Sequence, residues 1–263
     1  MRIARYSHGE DVSFGVVEGL DEAGVPGPDA AVAQVDSHPF GPVTLTGVRH
    51  RLSDVRLLAP VLPSKVVAVA KNYAAHAEEM GTEVPGEPMI FLKPSTSVIG
   101  PGAAIALPPQ SDRVEHEAEL AVVIGRMCRE VPLDRVGDVV LGFTCANDVT
   151  ARDLQARDGQ WGRAKGFDTF CPLGPWIDTD VDPEDLRVTC TVDGAERQSG
   201  STALMVRDVA ELVSWISDVM TLLPGDVILT GTPAGVGPLT AGELVSVTID
   251  GIGTLTNQVV TRD

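Results

Sequence analysis

Glycine and proline interrupt this chain too often for long helices: 27 of one and 19 of the other are spread over 263 residues. Both punctuate regular structure, glycine by reaching positive φ and proline by fixing φ and removing an amide donor. Between the breaks lie short apolar runs of strand length. The pattern predicts a β-rich α+β fold rather than alternating βαβ units.

Residues 2–7 and 12–19 alternate apolar and polar around Ser7, His8 and Gly9, as a β-hairpin does. Residues 21–30 read as a polar turn, and 43–58 as a further short strand with a connection ending at Pro60. These segments predict a small N-terminal β appendage over 1–60 and a main domain over 61–263, joined near Leu62 and Pro63. Within the main domain, strands are expected at 65–70, 89–93, 118–124, 139–146, 186–193, 227–230, 244–249 and 254–260. Helices are expected at 73–80, 150–157 and 206–220. In the last, Val209, Leu212, Val213, Ile216 and Met220 recur at helical spacing and form a core-facing stripe.

The 43% hydrophobic and 22% charged content suits a globular core that needs no disulfide staples. A net charge of −17 removes the cationic footprint that nucleic acid or an acidic membrane surface would require. An anionic ligand then needs a bound cation or local Lys and Arg to reverse the field. Cys128, Cys145, Cys171 and Cys190 form no C-x-x-C pair and read as buried free thiols. The first residues lack the apolar core of a signal peptide, and no apolar run is long enough to span a bilayer. The expected setting is cytoplasmic.

Four stretches carry chemistry. Glu117 and Glu119 open an apolar strand; at i and i+2 they project to one face, roughly 7 Å apart at Cα. Two such carboxylates are either a solvated strand edge or a pair that takes up a proton or a hard divalent cation. Asp148 follows another apolar strand and is either a third ligand or a helix cap, a job that Thr150 can take with Asp153 as an imperfect capping box. His76 and Glu79 share a face of a short helix, either as incidental surface residues or as a base with its orienting carboxylate. The glycine-rich loop after residues 226–230 either turns tightly or offers amides to an anion, and no Walker A sequence follows. Lys93 at a strand end and Lys165 in a polar loop are each either solvated or able to bind a carboxylate.

Taken in order, the stretches KNYAAHAEEM, PMIFLKPSTS, VEHEAELAVVIGR, GFTCANDVTARDLQ, KGFDTFCPLGPW and GDVILTGTPAGVGP resemble the fumarylacetoacetate hydrolase (FAH) family, especially its smaller bacterial and mitochondrial members. The likeness spans roughly residues 65–240, and the first 60 residues look like the extra domain of some bacterial members. The resemblance implies a rolled mixed β-sheet domain, usually homodimeric. It puts Glu117, Glu119 and Asp148 on metal-ligand positions, for Mg²⁺ or else Mn²⁺ or Ca²⁺. It puts His76 and Glu79 on a catalytic dyad in a lid that often orders on ligand binding. Lys165 falls on the active-site lysine, Gln155 on a polar contact, and Thr232 on a substrate carboxylate contact; Lys93 is added here as a substrate-binding candidate. Lys71 departs from the pattern, which often has Arg or Leu there.

The activity so implied is metal-dependent conversion of a small anionic 2-oxo or 2-hydroxydienoic acid through an enolate. Isomerisation or decarboxylation of 2-hydroxyhepta-2,4-diene-1,7-dioate-type compounds, as in aromatic-acid catabolism, comes first. Oxaloacetate decarboxylation or acylpyruvate (fumarylpyruvate) hydrolysis is the runner-up. A binding module with structural Ca²⁺ is the reading from another class, and His76 and Glu79 argue against it because structural calcium needs no general base.

Overall fold

The computed structural model describes residues 1–262; Asp263, the last residue of the expected main domain, lies outside them. Three sheets make up the strand framework. The largest has twelve strands, ten on one path and two off it, Arg56–Leu58 paired with Arg2–His8 and Val98–Ile99 paired with Cys171–Asp178. Its path runs Leu45–Arg51, Pro26–Val35, Asp11–Leu20, Arg2–His8, Cys171–Asp178, Val140–Asn147, Ala118–Ile124, Val227–Leu229, Val66–Ala70 and Met89–Lys93. A five-stranded sheet runs Ala195–Ser201, Arg187–Val192, Leu244–Ile249, Gly253–Thr261 and Ile105–Leu107, and a small third sheet joins Val114–His116 to Thr150–Ala151 and Gly237–Pro238. Most neighbours are antiparallel, but Val227–Leu229 lies parallel to Val66–Ala70, so the sheet is mixed.

The strand Ala118–Ile124 is buried on both faces, and its period of two sorts its side chains. Leu120, Val122 and Ile124 enter a cluster with Val188, Cys190, Val245, Val247 and Val259 of the five-stranded sheet. Ala121 and Val123 face the opposite cluster, with Val66, Ala68, Leu173 and Ile177. Each large side chain removed from water in this way contributes about 1.5–3 kcal/mol. The helix Val209–Val219 packs Leu212, Val213 and Ile216 on the first cluster, as its stripe predicts. Asp208 and Glu211 close its first turn as a reciprocal capping box.

Several local expectations change. Residues 21–30 do not form only a turn: Pro26–Val35 is a ten-residue strand. Its pairing to Asp11–Leu20 shifts register between Glu18 and Leu20, and that irregularity accommodates the Pro- and Gly-rich start. Cross-strand pairing overrides local turn propensity there. The hairpin turn falls at Gly9 and Glu10, one step later than expected. The strands Cys171–Asp178 and Ala195–Ser201 and the helix Gly162–Gly166 have no counterpart in the sequence-based assignment. The first strand, Arg2–His8, also pairs with Cys171–Asp178 through Arg2↔Asp178 and Ile3↔Ile177, so the N-terminal strands extend the main sheet.

Candidate active site and metal centre

Register brings the carboxylates together. Ala118 pairs with Asn147 and Glu119 with Ala146 in antiparallel strands, which sets Asp148 across from Glu117. The Asp148 amide donates to the Glu117 carbonyl at 2.8 Å, and the Glu117 amide donates to Asn147 Oδ1 at 3.0 Å. One oxygen from each of Glu117, Glu119 and Asp148 lies within 4.8 Å of the others, and all three residues are buried. Neither edge solvation nor capping explains them. The following helix, Arg152–Asp158, starts after Ala151 with no side-chain cap. Thr150 Oγ1 donates to the Asp148 carbonyl, and Asp153 accepts from Ser111 Oγ instead of closing a box.

Three cations face this acid cluster. Lys165 Nζ donates to Glu117 Oε2 and Asp148 Oδ2, both at 2.7 Å. Lys165 is buried on the short helix Gly162–Gly166, not in a solvated loop. Lys93 Nζ donates to Asp148 Oδ1 at 2.5 Å and to the Val149 carbonyl at 3.3 Å. It is fully buried behind Asp148 and does not line the cavity, so the expected substrate contact becomes a contact to a metal-ligand candidate. Arg152 Nη2 donates to Glu117 Oε1 at 2.6 Å, Nε to Glu115 Oε2 at 2.7 Å, and Nη1 to Gln155 Oε1 at 2.7 Å.

Glu119 is the acid left over. It accepts from the Gly231 amide at 2.6 Å, a neutral donor. Burial, then the charges of Asp148 and Glu117, push its carboxyl well above the usual range, against the pull of Lys165 and Gly231. Burial also opposes ionisation of Glu117, but Lys165, Arg152 and His76 outweigh it and hold that carboxyl well below the usual range. Burial alone would lower the Lys165 ammonium, yet Asp148 and Glu117 raise it. An all-oxygen donor set carrying one uncompensated buried acid fits a hard divalent cation such as Mg²⁺, Mn²⁺ or Ca²⁺ better than a nitrogen- and sulfur-seeking one.

Above the acids lies a cavity of about 320 Å³. His76, Lys71, Gln155, Thr232, Arg152 and Lys165 contribute to its wall, with Val69, Met80, Phe91, Ala156 and Trp161 supplying apolar surface. Phe91 and Trp161 meet edge to face at 5.3 Å, and Lys165 Nζ stands 5.0 Å from the Phe91 ring centre. His76 is buried on the helix Ala74–Glu79, and its Nδ1 lies 3.0 Å from Glu79 Oε2. Glu79 Oε1 accepts the Gly235 amide at 3.0 Å, which joins this helix to the glycine loop. Lys71 holds a left-handed backbone (φ 58°) at the cavity wall, an uncommon conformation for a non-glycine residue.

Thus the structure gathers Glu117, Glu119, Asp148, Lys165, His76, Gln155 and Thr232 around one cavity and leaves Lys93 behind it. Arg152 and Glu115 were missed by sequence reasoning. The signal was present: Glu115, Glu117 and Glu119 alternate on one strand entry, and so many buried acids require a matching guanidinium. The aromatic wall of Phe91 and Trp161 carried no local pattern.

Residues 65–260 match the fumarylacetoacetate (FAA) hydrolase C-terminal family, and residues 1–60 match the Rv2993c-like N-terminal family. The chain is 54% identical to a Mycobacterium smegmatis 5-carboxymethyl-2-hydroxymuconate delta-isomerase whose crystal structure superposes with a TM-score of 0.93, with 100% of both chains covered. It is 46% identical to human mitochondrial oxaloacetate tautomerase FAHD2A over 79% of this chain and 70% of that one. A Pseudomonas aeruginosa fumarylpyruvate hydrolase, solved with Mn²⁺ and pyruvate, is 37% identical with a TM-score of 0.72, covering 75% of this chain and 90% of that one.

Proposed function

This chain belongs to the fumarylacetoacetate hydrolase family of enzymes, and on that premise we propose that it is a divalent-metal-dependent isomerase of small 2-hydroxydienoic and 2-oxo dicarboxylic acids. Compounds of the 2-hydroxyhepta-2,4-diene-1,7-dioate type are the first candidates. The observation that carries the reading is His76 on the wall of the acid-floored cavity, backed by Glu79, which is itself anchored by Gly235.

A hard dication held by Glu117, Glu119 and Asp148 supplies Lewis acidity towards the substrate's carboxylate and adjacent oxygen. Mg²⁺ is the proposed ion, with Mn²⁺ able to replace it. Glu79 accepts from His76 Nδ1–H, which orients the ring and leaves Nε2 as the nitrogen available for proton transfer. Isomerisation of a 2-hydroxydienoate breaks the enol O–H bond and forms one C–H bond at the far end of the conjugated system. It consumes no water and no redox partner. His76 holds the proton between those two positions. Lys165 limits the negative charge that Glu117 and Asp148 present to an anionic substrate. Phe91 and Trp161 give the wall an apolar face for the substrate's carbon chain, and Gln155 offers a polar contact on it.

The reading is supported by the names of the mycobacterial isomerase and the human tautomerase, both of which describe such proton movements. The Pseudomonas hydrolase favours a second reading, hydrolysis of an acylpyruvate, in which His76 activates water for attack on a distal carbonyl. A homodimer is proposed on the family resemblance. The test is a panel of 2-hydroxydienedioate, enol-oxaloacetate, acetylpyruvate and fumarylpyruvate, assayed after chelation and again with Mg²⁺ or Mn²⁺ restored. Metal-dependent loss of dienol absorbance without release of pyruvate or CO₂ is expected. Pyruvate release from the acylpyruvates alone would replace isomerisation with hydrolysis.

A further inference from the structure

Gln198 is 1% exposed, sits on the strand Ala195–Ser201 and does not line the cavity. Its side chain nevertheless touches both halves of the site. Oε1 accepts from the Ala118 amide at 3.0 Å and from His116 Nδ1 at 2.9 Å. Nε2 donates to Thr232 Oγ1 at 2.8 Å and to the Pro233 carbonyl at 2.7 Å. The orientation of this amide is dictated by chemistry, because a backbone N–H can only donate and a carbonyl can only accept. A flipped side chain would lose both bonds.

The Thr232 hydroxyl is committed as a result. It receives the Gln198 proton and donates its own to the Ala118 carbonyl at 2.8 Å. A hydroxyl has a single proton to give, so in this arrangement none remains for a substrate carboxylate. The Ala118 peptide, which separates Glu117 from Glu119, is therefore gripped at its N–H by Gln198 and at its C=O by Thr232. Pro233, also held by Gln198, lies between Gly231, whose amide donates to Glu119, and Gly235, whose amide donates to Glu79.

We propose that Gln198 is a positioning residue for the metal centre: with Thr232 it forms a strut that sets how Glu117 and Glu119 present their carboxylates and where the glycine loop lies. The Thr232 hydroxyl serves this strut rather than a substrate carboxylate. The inference rests on the metal site named under the proposed function, and the two can fail separately.

The experiment is Mn²⁺ binding to chelator-stripped full-length protein, followed by electron paramagnetic resonance. It compares wild type, Gln198→Met, Thr232→Val and the double variant, with kcat and KM measured at saturating metal. Each single variant is expected to weaken Mn²⁺ by about tenfold or more, the scale of an outer-shell partner of a ligand, and to alter the bound-Mn²⁺ spectrum. The double variant should bind no more weakly than the worse single one, since both remove one strut. Wild type that binds no Mn²⁺ overturns the metal site and the strut with it. Wild-type binding with unchanged affinity in the variants, or with additive losses, overturns the strut alone. So does a Thr232→Val protein with native Mn²⁺ affinity and only a raised KM, since that marks a substrate contact. If Gln198→Met does not fold, Thr232→Val decides the matter, because it leaves the Gln198 bonds to Ala118, His116 and Pro233 in place.

Discussion

Glu79 and Gly235, 156 residues apart in the chain, are joined by a 3.0 Å hydrogen bond from the Gly235 amide to Glu79 Oε1. The other oxygen of the same carboxylate faces His76 Nδ1 at 3.0 Å. One side chain thus pins the dyad helix to the glycine loop and aims the imidazole, and it can do both only while both of its oxygens accept.

Glu79→Gln keeps the shape and removes one acceptor. Either the loop loses its acceptor, or the new amide NH2 faces Nδ1 and leaves the ring proton on Nε2, the wrong tautomer for a base. We expect kcat to fall about 100-fold, within the range typical of a positioned acid–base group, with the melting temperature close to that of wild type. Unchanged turnover would remove the dyad from the mechanism.

Metal affinity should follow pH through Glu119. In the metal-free protein burial, then Asp148 and Glu117, hold this carboxyl protonated above the usual range. The folded state then binds more protons than the unfolded one between the ordinary carboxylate value and the raised one. The stabilisation from Glu119 is therefore full at the low end of that window and is lost as pH rises through it. Glu117 runs the other way: its depressed value contributes stability above the ordinary carboxylate range, and that is lost on acidification. Because a ligand must shed its proton, Mn²⁺ affinity should rise about tenfold per pH unit across the Glu119 window, with about one proton released. Calorimetry in buffers of different ionisation enthalpy reads this directly, and a flat affinity would refute it.

Glu119→Gln removes a ligand charge and the crowding at once. Turnover with added metal should vanish, and Mn²⁺ affinity should drop by more than the about 10–100-fold typical of outer-shell partners. The metal-free variant should melt no lower than metal-free wild type at pH 8. Activity that survives in chelator-treated variant protein would discard the metal site.

Arg152→Leu leaves Glu115 and Glu117 buried without their shared guanidinium. Breaking such a pair costs about 3–5 kcal/mol, which urea unfolding at neutral pH can measure. Lowering the pH towards the carboxylate range should recover part of the loss. A loss well below 1 kcal/mol would show that Lys165 on Glu117, and Arg113, whose Nε donates to Glu115 Oε1 at 2.6 Å, suffice for these acids.

Much of the site could be read from residue order. Glu117 and Glu119 stand at the spacing of one strand face, and His76 and Glu79 at that of one helix face, so local geometry placed each pair. Asp148 was open between ligand and cap, because only the pairing of Ala118 with Asn147 decides which carboxylate it meets. Lys93 was misplaced for a related reason: the end of an edge strand reads as exposed until Asp148 and Val149 are found closing over it. The strands Pro26–Val35 and Cys171–Asp178 were hidden by their own prolines, which partner strands accommodate and local propensity cannot foresee.

The Ala118↔Asn147 pairing has a consequence for how the protein reaches its native state. A sheet that zips up one residue out of step turns every side chain to the opposite face. A slip of that kind in either strand would bury its acid among the aliphatic residues that fill the two clusters and leave the other strand's carboxylates alone. The three acids are thus a proofreading mark: only a correctly aligned sheet brings them together, and a dication bound by them would in turn hold the alignment.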